Sequence, residues 1–368
     1  MSKPVVHLIA AARPNFMKVA PLYHALHGED WLDVRLVHTG QHYDANMSDA
    51  FFRDLRLPTP HLHLGVGSGS HARQTAGVML AYEDACLQEP PAFTVVVGDV
   101  NSTMACTITA AKMNLRVAHL EAGLRSGDRS MPEEINRIVT DAIANVLWTP
   151  SEDADENLLR EGVAGERIHR VGNIMIDSFE MMRPEIERKG LPAELGLADR
   201  EYAVLTLHRP FNVDDPGTLA QIVRAVENLS ERLPVVFPVH PRTRQKLEGS
   251  GLLARLDANP AVMLMDPLGY IDFMSLVLSC RLVITDSGGV QEETTYLGIP
   301  CLTLRPSTER PVTVTQGTNR LTDSNLLEQE VERVLEETPP QPAKIDLWDG
   351  KTALRVREHL KKLLVDRV

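Results

Sequence analysis

Leu282-Val283-Ile284-Thr285-Asp286-Ser287-Gly288-Gly289-Val290-Gln291-Glu292-Glu293 divides into three parts. Four apolar and β-branched residues predict a short buried strand. Asp286 to Gly289 predicts a turn, and Val290 opens a helix. A strand running straight into a helix is half of a βαβ unit, so this stretch points to a parallel sheet. Glycine lets the backbone approach a ligand closely. The first N–H groups of the helix lack internal partners and carry partial positive charge, which suits a phosphate. An ordinary strand-to-helix turn, with Ser287 as the N-cap and the glutamates favoured by the helix dipole, fits the same residues. The segment alone leaves both readings open.

The same rhythm extends in both directions. Tyr202 to Leu207, Pro234 to Val239, Ala261 to Met265 and Cys301 to Leu304 read as further strands. Pro216 to Arg232 and Ile271 to Ser279 read as helices between them. In the first half, strands are expected at Val5 to Ala11, Val34 to Thr39, Phe93 to Val97 and Val117 to Leu120. Helices are expected near Phe16 to His27, Asp44 to Leu55, Ala72 to Cys86 and Ser102 to Met113. The pattern predicts an α/β protein with two Rossmann-like domains and parallel sheets, the GT-B arrangement, with its site in the interdomain cleft. The expected boundaries are 1–172 for the first domain, completed by a helix in 350–368, and 173–349 for the second.

Composition narrows the class. The 368 residues are 43% hydrophobic and 24% charged, enough for two full cores. The formal net charge of −12 argues against nucleic acid as the main partner. An anionic small ligand then needs a local pocket of Arg, Lys and backbone N–H groups. No apolar run reaches membrane-spanning length and no signal peptide is visible, so a soluble cytoplasmic protein is expected. Cys86, Cys106, Cys280 and Cys301 show no metal-like spacing and read as buried small hydrophobes. Gly65-Val66-Gly67-Ser68-Gly69-Ser70 follows no strand and lacks the dinucleotide fingerprint, so it reads as a loop.

Chemistry gathers where strands end. Arg13 follows the first strand and Lys18 lies one turn into the next helix, so the two can neutralise a diphosphate or simply face solvent at a helix start. Asp99 ends one strand and Glu121 the next. Each fits helix capping alone, but acids at neighbouring strand ends favour paired proton transfer. Glu133 and Arg137 stand at i,i+4 on a helix begun by Pro132, as a surface ion pair or as a third site carboxylate oriented by an arginine. His208 follows the strand Tyr202 to Leu207, at the same end of its sheet as the Asp286 turn. Glu293 stands one turn into its helix, placed to accept ribose hydroxyls.

In these residues the chain resembles the non-hydrolysing UDP-N-acetylglucosamine 2-epimerases. The resemblance covers nearly the whole chain. It rests on Arg13-Pro14 with Lys18, Thr39-Gly40-Gln41-His42, Gly98-Asp99, Glu121-Ala122-Gly123-Leu124-Arg125, Pro132-Glu133-Glu134 with Asn136-Arg137, His208-Arg209, Asp286 to Gly289 with Gln291-Glu292-Glu293, and Thr308-Glu309-Arg310-Pro311. It departs at Asn15 and Val312, where many members carry glutamate, and in a short loop from Gly127 to Met131. These departures leave the sugar's substituents open.

The resemblance implies a homodimer that interconverts UDP-GlcNAc and UDP-ManNAc with no metal or nicotinamide cofactor. It implies Asp99, Glu121, Glu133 and His208 as catalytic residues. Arg13, Lys18, Arg137, Phe273, Ser287, Gly288, Gly289, Glu293 and Arg310 are implied in substrate binding, with Phe273 bordering the uracil. Gln41, His42 and Gln74 are implied in a second, activating UDP-GlcNAc site. Two alternatives stay in view. One is a 2-epimerase of a modified UDP-sugar such as a 2,3-diacetamido uronic acid. The other is a GT-B glycosyltransferase, for which the clustered acids have no shared task.

Overall fold

A computed structural model describes residues 3–11, 13–40 and 55–365, with the backbone alone at 13 and 14. The helix expected from Asp44 falls outside the described residues. The chain divides into two compact units, Met1–Met181 with Asp346–Val368, and Met182–Ile345.

The first unit contains β1 (Val5–Ala10), β2 (Asp33–His38), β3 (Leu62–His63), β4 (Phe93–Val97), β5 (Val117–Leu120), β6 (Val146–Thr149) and β7 (Ile168–Arg170). They form one sheet in the order β3-β2-β1-β4-β5-β6-β7, parallel throughout. Its helices are α1 (Arg13–Leu26), α2 (His71–Gln88), α3 (Asn101–Lys112), α4 (Pro132–Ile143), α5 (Glu152–Arg160) and α6 (Ile174–Lys189). The division between the units falls inside α6.

The second unit repeats the plan with β8 (Ala203–Thr206), β9 (Val235–Pro238), β10 (Val262–Met265), β11 (Leu282–Thr285), β12 (Cys301–Leu304) and β13 (Asn319–Thr322). The order is β10-β9-β8-β11-β12-β13, again parallel. Its longer helices are α7 (Pro216–Ser230), α8 (Pro241–Gly249), α9 (Tyr270–Ser279), α10 (Val290–Leu297) and α11 (Leu327–Glu336). Central strands are buried along their whole length: β4, β5 and β11 expose no residue. That follows from helices covering both faces of a parallel sheet, and explains why these strands read as mostly apolar and β-branched, with His119 the exception.

Each expected strand appears, with ends within one residue. The expectation missed β3, β6, β7 and β13. Three of these are sheet edges. β3 has two residues, and β7 and β13 keep half-exposed positions, so neither shows a buried run. β6 is fully buried but follows α4 after only Ala144-Asn145, which hides the break.

The last helix, α12 (Thr352–Leu364), belongs to the first unit. Asp177 on α6 caps it, accepting the N–H groups of Thr352 at 3.0 Å and Ala353 at 2.8 Å. Trp148 Nε1 donates to His359 Nδ1 at 2.9 Å, and Trp348 Nε1 to the Pro150 carbonyl at 2.9 Å.

In both sheets the strand order reverses at one point, between β1 and β4 and between β8 and β11. Ligands of open α/β sheets bind outside the carboxyl ends of the strands at such points. The sequence motifs lie there. Val97 pairs with Leu120, so Gly98-Asp99 and Glu121 emerge side by side. Thr285 pairs with Thr206, so Asp286 emerges beside Leu207-His208.

Candidate active site

In the first unit Asn15 ties the turn after β1 to β4, accepting from Ala11 N at 3.0 Å and donating to the Val97 carbonyl at 2.7 Å. This presents Lys18, whose ammonium pairs with Glu121 Oε2. The Glu121 side chain is 3% exposed, and its Oε1 has no hydrogen-bond partner among the described residues. Its backbone is left-handed, with φ of 71°, which a non-glycine residue adopts at a cost and which often marks a functional position. Gly98 makes room for the pair: a Cβ there would lie 3.2 Å from Glu121 Oε2 and 3.3 Å from Lys18 Nζ.

Asp99 keeps 29% of its side chain exposed. Arg137 orients it, donating to Asp99 Oδ2 from Nε at 3.1 Å and Nη2 at 2.7 Å. Asn136 Nδ2 donates to the Asp99 carbonyl at 2.8 Å. The carboxylate that Arg137 also grips is Glu134, at 2.6 Å, not Glu133. Glu134 further accepts the N–H groups of Ser126 and Gly127. Burial alone pushes the Glu134 carboxyl up, but these donors and Arg137 outweigh it and keep it below its ordinary value. Glu133 is half-buried in the first turn of α4 and forms no ion pair with Arg137. Gln74 is buried and accepts from Asn101 at 2.7 Å, in a polar network that reaches Asn136. Gln41 and His42 lie outside the described residues, as does the side chain of Arg13.

In the second unit Asp286 is completely buried. It accepts the N–H groups of His208 and Arg209, the Asn212 amide, and His208 Nδ1 at 2.7 Å. Burial raises its carboxyl, but His208 and these N–H donors prevail and hold it low. With Nδ1 engaged, His208 turns its Nε2 outward from a side chain that is 36% exposed. Ser287, Gly288 and Gly289 lead into α10, whose first turn has no side-chain cap. Gly288 permits close approach to Arg310: a Cβ there would stand 3.1 Å from Arg310 Nη1.

Behind this turn lies a buried charge cluster. Arg310 pairs with Glu292 at 2.9 Å and Glu309 at 3.5 Å, and Arg305 pairs with Glu309 at 2.9 Å. Burial pushes Glu309 up, yet Arg310 and Arg305 together hold it down at about 2. Among the described residues Glu293 has no such cation. Burial raises its carboxyl to about 7, and the Tyr270 hydroxyl donates to Oε1 at 2.6 Å. Phe273 is half-buried on α9, one turn beyond Tyr270.

A family model described as UDP-N-acetylglucosamine 2-epimerase matches residues 24–361. The chain belongs to that family. It is 41% identical over 323 residues to the UDP-N-acetylglucosamine 2-epimerase of Methanocaldococcus jannaschii, covering 86% of this chain and 88% of the relative. It is 38% identical over 361 residues to the UDP-2,3-diacetamido-2,3-dideoxy-D-glucuronate 2-epimerase of Pseudomonas aeruginosa, covering 96% and 99%. The crystal structure of the M. jannaschii enzyme in complex with UDP-GlcNAc and UDP superposes with a TM-score of 0.86 at 38% identity, over 97% of this chain and 99% of that one. The family is one of isomerases, and its solved members share the two parallel-sheet units of the GT-B class. No helix among the described residues is long and apolar enough to cross a membrane.

Sequence reasoning missed Glu134, His119, Asp141, Arg305 and Tyr270. The inward face of α4 became visible only in the structure. On α4 the buried residues are Glu134, Asn136, Arg137, Thr140 and Asp141, whereas Ile135 and Ile143 are exposed. The helix thus turns a polar stripe inward, the reverse of the usual amphipathic arrangement.

Proposed function

We propose that the protein epimerises a UDP-N-acetylhexosamine at C2, interconverting UDP-GlcNAc and UDP-ManNAc, by elimination and re-addition of UDP. The observation that carries this reading is that Asp99 and Glu121 leave neighbouring strand ends, each fixed by a cation, Arg137 and Lys18.

The C2 proton of the sugar has no adjacent carbonyl and is not acidic. Breaking the C1–O bond to UDP develops positive charge at C1, and the C2–H electrons then form the C1–C2 double bond of a 2-acetamidoglucal. One carboxylate takes the C2 proton. An acid on the other face returns a proton to C2 while a diphosphate oxygen re-forms the bond to C1. The sequence is redox-neutral and releases nothing. Asp99 and Glu121 serve the two faces, and Glu133 is the third carboxylate. Arg13, Lys18, Arg310, His208 and the N–H groups of the Ser287-Gly288-Gly289 turn stabilise the departing diphosphate, whose charge grows as the bond breaks. Glu293 holds the ribose and Phe273 borders the uracil. Gln41, His42 and Gln74 belong to a second UDP-GlcNAc site.

A second reading has specific support. The P. aeruginosa relative acts on a diacetamido uronic acid sugar, and its 38% identity stands beside the 41% of the archaeal enzyme. We assign the protein to the cytoplasm as a homodimer. Leu80 and Leu87, seven residues apart on α2, are 67% and 69% exposed, and they offer an apolar strip to a second copy.

The test is conversion of UDP-GlcNAc in heavy water followed by NMR. Deuterium at C2 in both epimers supports the reading, and conversion without deuterium removes it. Turnover of the uronic acid analogue alone transfers the protein to the second reading. Sedimentation at micromolar concentration reads the dimer.

A further inference from the structure

One buried carboxylate grips the chain on both sides of Glu121. Asp141 Oδ1 accepts from His119 Nδ1 at 2.6 Å, and Oδ2 accepts from Gly123 N at 3.0 Å and Arg125 Nη1 at 2.7 Å. These partners stand two residues before Glu121 and two and four residues after it. The segment between them carries the left-handed Glu121. Nothing in a parallel strand end favours that conformation for glutamate, so outside contacts must impose it. The grip extends to the other acid. His119 Nε2 donates to the Gly98 carbonyl at 2.9 Å, so the ring donates on both sides and links Asp141 to the residue before Asp99.

Asp141 is 1% exposed and His119 is fully buried, so these bonds do not compete with water. Burial alone raises the Asp141 carboxyl, but His119 and Arg125 outweigh it and hold it below its ordinary value. Asp141 also shares the inward face of α4 with Asn136 and Arg137, which fix Asp99. One helix face therefore sets both acids.

We propose that Asp141 is a positioning residue for Glu121: by binding residues 119, 123 and 125 together it forces the left-handed turn that aims the Glu121 carboxylate at Lys18. The inference rests on the reading of Glu121 as a proton-transfer group.

Two variants test it, Asp141→Asn and the milder Arg125→Gln, which removes one of the donors to Asp141 together with the pair to Glu161 and carries the test if the first does not fold. Both are compared with wild type for turnover, KM, UDP affinity by calorimetry and C2 deuterium exchange. Displacing a reacting carboxylate by about 1 Å costs on the order of 100-fold in turnover. D141N is expected to lose about that much in kcat and in exchange, and R125Q roughly tenfold, while KM and UDP affinity change less than about twofold. A crystal structure of the folded variant with the most reduced turnover should show Glu121 out of the left-handed region. Wild-type kcat in folded D141N, or in R125Q where D141N does not fold, overturns the proposal. Parallel loss of kcat and UDP affinity also overturns it, since that marks general destabilisation. Wild-type protein that turns over without C2 exchange removes the reading of Glu121 instead, and the backbone of residue 121 in the variant crystal then decides the positional claim by itself.

Discussion

Asp286 holds His208 twice, by the ring through Nδ1 at 2.7 Å and by the main chain through its N–H at 3.0 Å. A second N–H, from Arg209, and the Asn212 amide reach the same carboxylate. The loop after β8 is thus pinned to the end of β11 by one side chain. Replacing Asp286 by alanine leaves several donors in a dry environment, and a cost of roughly 3–5 kcal/mol is expected. Urea unfolding of Asp286→Ala should show it, with Asp286→Asn losing less. A loss below about 1 kcal/mol would mean that the loop holds itself.

The pair of Lys18 and Glu121 behaves as a unit. Removing either charge strands the other inside the protein, so Lys18→Met and Glu121→Gln should each destabilise by roughly 3 kcal/mol. The double variant should recover much of that, with a coupling of about 2 kcal/mol in a double-mutant cycle. Simple additivity would show that the two side chains do not depend on each other.

Gly98 has φ of 70° and faces both members of that pair. Gly98→Ala adds backbone strain and crowds the carboxylate. A stability loss of about 1–2 kcal/mol is expected. Turnover should fall by more than stability does, because the methyl group pushes directly on Glu121. Unchanged kcat in a folded Gly98→Ala protein would refute the crowding.

Glu293 gives a pH prediction. Its carboxyl rises from an ordinary 4.5 to about 7 in the folded protein because burial penalises the charge. A raised value means that the folded state binds the proton more tightly than the unfolded one. The stabilisation is complete below pH 4.5 and is lost as pH climbs through about 7. Relative to wild type, Glu293→Gln should therefore gain stability between those limits, by up to roughly 3 kcal/mol. Paired denaturation curves across that range check the sign, and a constant difference between the two proteins would contradict it.

The order of legibility follows the physics. β4 and β11 announced themselves because parallel strands covered on both faces must be apolar throughout. β7 and β13 escaped because an edge strand buries only part of its length. Asp99 and Glu121 were visible as acids directly after apolar runs. Their supports were not, because Asp141 stands 20 residues beyond Glu121 and nothing in a single sequence reports that separation as contact. The pairing of Arg137 with Glu134, where Glu133 was expected, has the same origin. Helical spacing allows Arg137 to meet a residue three or four positions earlier, and the Ser126 and Gly127 N–H groups decide for Glu134.

Trp348 and the Asp177 cap on α12 have a consequence for how the protein is made. The first unit needs residues that are translated only after the whole of the second, since Met182–Ile345 is inserted between its two parts. On the ribosome the inserted unit can finish first, while the earlier sheet waits with the surface for α12 unfilled. A stop codon just before Trp348 would therefore spare the unit already completed and cripple the one begun first.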